Sequence, residues 1–301
     1  MAGIGSSSTW SRTSASSSTS DGSPPAKDRA LGWIRVTHPF PSILDGLVSG
    51  GVAAVAGAGT DLAVRVGAAM TLLQLGIGTV NDVVDALHDR LKPGKPIPSG
   101  LVGSAGARAL AGLCFLGGIA LAWSVGPLPG LIALLVVAIG LAYDLRLKGT
   151  AWSWLPFALG IPILPLFGWV AATGSLAPAF LAVVPAAMAA GAGLAIGNAL
   201  VDVERDQAAG RTSVAAVLGA DRAAGLSAGL YALVTLIAAG SGVAVRIPFG
   251  DATVVVAAGA AACLAAATAA RRSVAGRERS WQVEAIALAI LAVAWVRAVL
   301  S

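Results

Sequence analysis

The sequence reads N-D-V-V-D-A-L-H-D at residues 81–89 and N-A-L-V-D-V-E-R-D at residues 198–206. Both stretches contain N-x3-D-x3-D, as Asn81, Asp85, Asp89 and as Asn198, Asp202, Asp206, at one constant offset of 117 residues. Each copy ends a long apolar segment and precedes a basic loop. On a continuous helix, positions i, i+4 and i+8 share a face. The spacing therefore predicts, twice, an amide and two carboxylates in a row at the water end of a buried helix. Carboxylates so placed repel one another and are costly to desolvate. A hard divalent cation compensates them, and Mg²⁺ typically takes one or two carboxylates plus substrate phosphate oxygens. Asp82 stands off the row by one helical step, about 100°, toward a neighbouring helix.

The surrounding chain is built for lipid. Of its 301 residues, 56% are hydrophobic and only 12% charged, against about 25% charged in a typical soluble domain. The fold class is therefore all-α and polytopic. Nine apolar segments, at 41–59, 62–82, 104–125, 127–144, 152–172, 177–200, 222–243, 251–270 and 281–300, each approach the ~20 residues that cross a bilayer. Residues 1–32 form a Ser/Thr-rich tail, expected to be disordered and cytoplasmic, and residues 33–301 form the membrane domain. With the tail and alternate loops on one side, 17 of the 20 Lys and Arg lie there, and only Arg65, Arg246 and Arg297 lie opposite. The positive-inside rule then puts the amino end and both acidic motifs in the cytoplasm, the carboxyl end outside, and the chain in the plasma membrane. This clustering in loops accounts for the net charge of +5 without a nucleic-acid partner. Trp33, Trp123, Trp152, Trp154 and Trp281 fall near span ends, as an interfacial aromatic belt requires. Cys114 and Cys263 lie mid-segment, with neither metal-site nor disulfide spacing.

Cations follow the acids. Lys92 and Lys95 stand in a loop stiffened by Pro93, Pro96 and Pro98; Arg205 and Arg211 follow the second motif; Tyr143, Arg146 and Lys148 end the fourth span. Acids that hold metal beside cations that hold anion describe a site for a metal-bound polyphosphate. Arg271, Arg272, Arg277 and Arg279 are read as topology signals alone.

The first motif, followed by K-P-G-K-P-I-P-S-G at residues 92–100, closely resembles the first aspartate-rich motif of the UbiA-type intramembrane prenyltransferases. Asp202-x3-Asp206 followed by A-A-G-R-T-S resembles the second, and the stretch from Tyr143 to Lys148 also looks like the family's. The resemblance runs over about residues 33–300. It implies nine helices around a central cavity with a lateral opening to lipid. It implies two Mg²⁺ ions held on an allylic isoprenyl diphosphate by Asn81, Asp82, Asp85 and Asp89 with Asn198, Asp202 and Asp206, among which Asp85 and Asp202 are the catalytic pair. Lys92, Lys95, Tyr143, Lys148 and Arg211 correspond to diphosphate or loop positions, and Arg146 joins them on charge. The implied reaction is ionisation to an allylic carbocation that alkylates a lipophilic or aromatic acceptor of quinone-precursor type.

This sequence departs from the family in three places. Lys95 stands where Arg is common, and His38-Pro39 opens span 1 in place of Arg-Pro. Asp45 stands inside span 1, where a neutral amide is more usual, which marks it as a candidate for the acceptor pocket. His38 reads as an interface residue and His88 as loop-facing. A membrane terpene cyclase would share the ionisation step, but the low aromatic content (5%) leans toward transfer. An ion-coupled transporter would carry its acids nearer the midplane. The D-G-x2-A-R arrangement of a CDP-alcohol phosphotransferase is absent.

Overall fold

The computed structural model describes residues 25–91 and 94–300; Lys92 and the tail before residue 25 lie outside the described residues. The described chain is all-helical. A short amphipathic helix, α1 (Ala26–Arg35), leads into the apolar α2 (Pro39–Val55). Residues 26–32, expected as part of the disordered tail, are thus helical, because Trp33 and its neighbours have a surface to pack on. The Trp33 ring covers Gly106, where a Cβ would come within 2.7 Å of it.

Spans follow as α3 (Thr60–Asp85), α4 (Ser104–Val125) and α5 (Pro127–Ala142). The fifth span is divided at Pro162 into α6 (Leu155–Gly160) and α7 (Ile163–Thr173). Next come α8 (Phe180–Val201), the short α9 (Val203–Ala208) and α10 (Val214–Leu218), then α11 (Ala220–Val245), α12 (Phe249–Ala269) and α13 (Val274–Leu300). Eight helical segments are long and apolar enough to cross a membrane among the described residues, and α2, with 17 residues, is a shorter apolar helix. The last span starts seven residues before its expected boundary at 281. Arg277 and Arg279 therefore lie on the helix, not in a loop.

Two packed groups enclose a central space. Val48, Ala69, Met70, Leu73, Ala133 and Phe167 build one core, among α2, α3, α5 and α7. Val183, Leu194, Tyr231, Val255, Leu288 and Leu291 build the other, among α8, α11, α12 and α13. Helix α13 packs on α2, and α6 on α8, to join them. Outward-facing apolar side chains such as Leu181 (86% exposed) and Phe249 (88%) meet lipid in a membrane setting, so they need no protein cover.

In lipid the drive for helices to associate is close van der Waals packing, which small residues permit. A Cβ on Gly168 of α7 would stand 2.2 Å from the Ser49 carbonyl oxygen and 3.1 Å from the Ala53 nitrogen. Backbone cannot rotate aside as a side chain does. Gly168→Ala is expected to destabilise the protein by about 1–3 kcal/mol, the usual cost of overpacking. Gly112→Ala on α4, where nothing lies within 4 Å of the new methyl, is expected to leave the melting temperature unchanged or slightly raised. Thermal unfolding of the two variants in detergent makes the comparison.

Candidate active site

Both motifs open onto one cavity of ≈ 340 Å³ between the two groups of helices. Asn81, Asp85 and Asp89 line it from one side; Asn198, Asp202 and Asp206 line it from the other. The three positions of each copy do not share one continuous helix. Helix α3 ends at Asp85, and Asp89 belongs to a 3₁₀ turn, His88–Leu91. Helix α8 ends at Val201, Asp202 sits at the break with φ −107°, and Asp206 belongs to α9.

Cations compensate the acids. Lys95 Nζ lies 2.6 Å from Asp82 Oδ1 and 3.2 Å from Asp89 Oδ2. Burial works against its ammonium, but Asp82 and then Asp89 outweigh that, so its pKa is raised and it stays charged. Lys148 bonds Asp85, Arg205 Nη1 lies 2.6 Å from Asp202 Oδ1, and Arg211 Nη1 lies 3.7 Å from Asp206 Oδ1. Arg211 is steered by its loop: its backbone N–H donates to the Asp206 carbonyl at 2.8 Å, and its side chain crosses Gly149, whose φ of +74° suits glycine. Lys92 lies outside the described residues.

A π-helical turn, Tyr143–Leu147, ends α5, and the Lys148 N–H closes on the Tyr143 carbonyl at 2.9 Å. Such turns recur at functional sites. This one aims Tyr143, Asp144 and Lys148 into the cavity and leaves Arg146 exposed, away from it. Arg146 therefore drops out of the anion-binding set. Asp82, expected among the metal ligands, is 4% exposed and does not line the cavity; it turns to Lys95 and to His38, whose Nε2 is 2.9 Å away. His38, expected at the interface, is thus part of the acid cluster. Its backbone is left-handed, φ +50°, just before Pro39 opens α2. His88 is exposed, as expected.

Other participants carry no local sequence signal. Asp144 is 4% exposed and accepts a bond from Asn81 Nδ2 at 2.8 Å, which turns the Asn81 amide oxygen the other way. Arg277 is 4% exposed and clasps Glu204 with Nη1 and Nη2 at 2.8 and 2.6 Å, which ties α13 to the second motif. Those bonds hold the Glu204 carboxyl below its ordinary range. Trp281, expected in the interfacial belt, lines the cavity and donates to the Leu194 carbonyl at 3.1 Å. The earlier start of α13 carries Arg277 onto the helix.

The donor set fits a metal-bound diphosphate. Hard carboxylate oxygens face Lys95, Lys148 and Arg211 across the same cavity. Three buried oxygens on its wall, Asp144 Oδ2, Ser153 Oγ and Ser213 Oγ, have no hydrogen-bond partner among the described residues. Buried polar groups are normally satisfied, so these oxygens suit a polar ligand. Among the described residues no three Asp, Glu, His or Cys side chains converge closely enough to hold an ion unaided, so phosphate oxygens would complete the coordination.

The family model described as the UbiA prenyltransferase family matches residues 46–291, which include both motifs. The digeranylgeranylglyceryl phosphate synthase of Methanoculleus marisnigri is 30% identical over 230 residues, covering 73% of this chain and 77% of that one. The apo structure of a UbiA homologue from Aeropyrum pernix K1 superposes with TM-score 0.68 at 22% identity, over 84% of this chain and 96% of that one. A homologue from Archaeoglobus fulgidus bound to DMAPP and Mg²⁺ superposes with TM-score 0.66 at 19% identity, over 86% and 98%. With the motifs inside the matched region and the helices arranged as in these structures, the chain is a multi-pass membrane prenyltransferase that belongs to the UbiA family.

Proposed function

We propose that the chain moves an isoprenyl group from an allylic diphosphate to a lipophilic or aromatic acceptor within the bilayer, with Mg²⁺, two ions by the motif count, held on the diphosphate. The observation that carries this reading is the convergence of two carboxylate sets and three cations at one end of a cavity whose other end is apolar. Asn81, Asp85, Asp89, Asn198, Asp202 and Asp206 would hold the metal. Asp82 supports Lys95 instead. Bound divalent cations supply neutralisation of the charge that grows on the leaving diphosphate.

The remaining work falls to side chains. Lys95, Lys148 and Arg211 bind the diphosphate oxygens, and Ser153 and Ser213 donate to them. Tyr143 packs edge-on against Phe157, ring centroids 5.4 Å apart, between the polar end and the apolar wall. Ile77, Val136, Ile139, Ile161 and Leu164 line that wall. They hold the prenyl chain and exclude water that would quench the carbocation. The acid-lined end faces the cytoplasm of a plasma-membrane protein, on the strength of the loop charges. The acceptor is a membrane lipid or a quinone precursor. The Methanoculleus relative, named for a glyceryl phosphate bearing two geranylgeranyl groups, favours a lipid.

Purified protein offered geranyl, farnesyl or geranylgeranyl diphosphate is expected to release diphosphate only with Mg²⁺ and a membrane lipid extract together. Release without the extract, with a cyclic product, would mean a terpene cyclase. No release under any condition would remove the reading. Asp85→Ala and Asp202→Ala are each expected to lower release by on the order of 10²–10³-fold, the scale for losing one preorganised transition-state contact. Their size-exclusion profile and melting temperature in detergent should stay those of the parent.

A further inference from the structure

Asp45 stands apart from every other acid that lines the cavity. Among the described residues, Asp85, Asp89, Asp202 and Asp206 each face a cation, and Asp144 accepts from Asn81. No hydrogen bond or ion pair among the described residues reaches Asp45. It lies six residues beyond Pro39 on α2, about 9 Å deeper along the helix than its start, at 1.5 Å per residue. His38, just before that start, marks the level of the acid cluster through its contact with Asp82.

Asp45 also marks a junction. A second cavity of ≈ 80 Å³ shares Asp45, Ile161 and Leu164 with the first. The rest of its wall is apolar, with Val48, Leu288, Leu291 and Trp295 among it, and Asp45 is its one ionisable residue among the described ones. A carboxylate without a partner at membrane depth is costly and calls for a functional reason.

We infer that Asp45 holds the acceptor and takes its proton, and that the acceptor is a neutral molecule with a hydroxyl head and an apolar body. The inference rests on the prenyl-transfer reading above and specifies its second substrate. Alkylation of an alcohol or phenol breaks the carbon–oxygen bond to diphosphate, and that electron pair leaves with the diphosphate oxygen. A lone pair of the acceptor oxygen, or a π pair of its ring, forms the new bond to the prenyl carbon. One proton must then leave the acceptor. The motif acids already face cations, so their oxygens are engaged. Asp45 faces no cation among the described residues, accepts a hydroxyl hydrogen bond in the meantime, and repels an anionic headgroup. The second cavity takes part of the acceptor's apolar body.

The test uses the full chain in detergent with farnesyl diphosphate, Mg²⁺ and three acceptor probes: dodecanol, a long-chain alkylphenol and dodecanoate. The parent should alkylate the alcohol or the phenol and leave the carboxylate untouched. Asp45→Asn keeps the shape and an acceptor oxygen but not the base. It should lower kcat for the hydroxyl probes by about 10²-fold or more, the lower end for a general base, with KM within about threefold. Mg²⁺-dependent binding of farnesyl diphosphate, read by calorimetry, should be unchanged, which also shows that the variant is folded. Parent-like kcat in Asp45→Asn overturns the inference. So does loss of farnesyl diphosphate binding, preference for dodecanoate, or a parent that binds the donor yet alkylates no hydroxyl probe. A parent that fails to bind the donor refutes the prenyl-transfer reading itself, and this inference with it.

Discussion

Asp85, Asp89, Asp202 and Asp206 of a membrane protein stand around one cavity mouth, and the fold depends on neutralising them. Desolvating a carboxylate costs several kcal/mol unless it is paired, and crowding like charges adds to that cost. The chain meets the demand with cations from three separate loops. Lys95 comes from the loop after α3, Lys148 from the turn after α5, and Arg205 and Arg211 from the segment after α8. Lys148 in this way ties the turn after α5 to the end of α3. The same cations that hold the protein together are the ones an incoming diphosphate would meet. Binding then exchanges partners and buries no new bare charge. Under the proposed reaction such a site would be preorganised for charge that develops during ionisation.

Polarity along the cavity gives direction to the reaction. The end near His38 carries charge, and the deep end near Leu164 is apolar apart from Asp45 and Gln74. A substrate with an anionic head and a hydrocarbon tail has one favourable orientation in such a space. Under the proposed transfer the reacting carbon would lie where the two regimes meet, next to the edge-on contact of Tyr143 with Phe157. Helices on both sides must keep that register. Arg277 on Glu204 and Trp281 on the Leu194 carbonyl bind α9 and α8 to α13, and the Tyr231 hydroxyl donates to Glu284 at 3.0 Å between α11 and α13.

Much of this was legible in the residues alone. Hydropathy located the spans because lipid forces long apolar helices. The 104–125 segment matches α4 at both ends. The repeated N-x3-D-x3-D pointed to six side chains that line one cavity, although the helices break within both copies. Period alone cannot show such a break. Arg146 enters the site reading on charge, and Asp82 on its match to the family's first motif. A π turn points one outward, and a helical step gives the other to Lys95 and His38. Trp281 reads as an interfacial ring, and Arg277 as a topology signal because its role depends on α13 starting at Val274. A short basic stretch there reads equally well as loop. His38 was set aside because a lone His at a span end has many uses, and its partner lies 44 residues away.

The central claim is that both acidic motifs act on one metal–diphosphate assembly. Electron paramagnetic resonance of Mn²⁺ in place of Mg²⁺, with a non-ionising thiodiphosphate analogue of farnesyl diphosphate, tests it most directly. The expected result is a pair of bound ions per chain with mutual spin coupling, seen only with the analogue present and lost in both Asp85→Ala and Asp202→Ala. Ions bound equally well without the analogue, or an unaltered signal after loss of either aspartate, would contradict the claim.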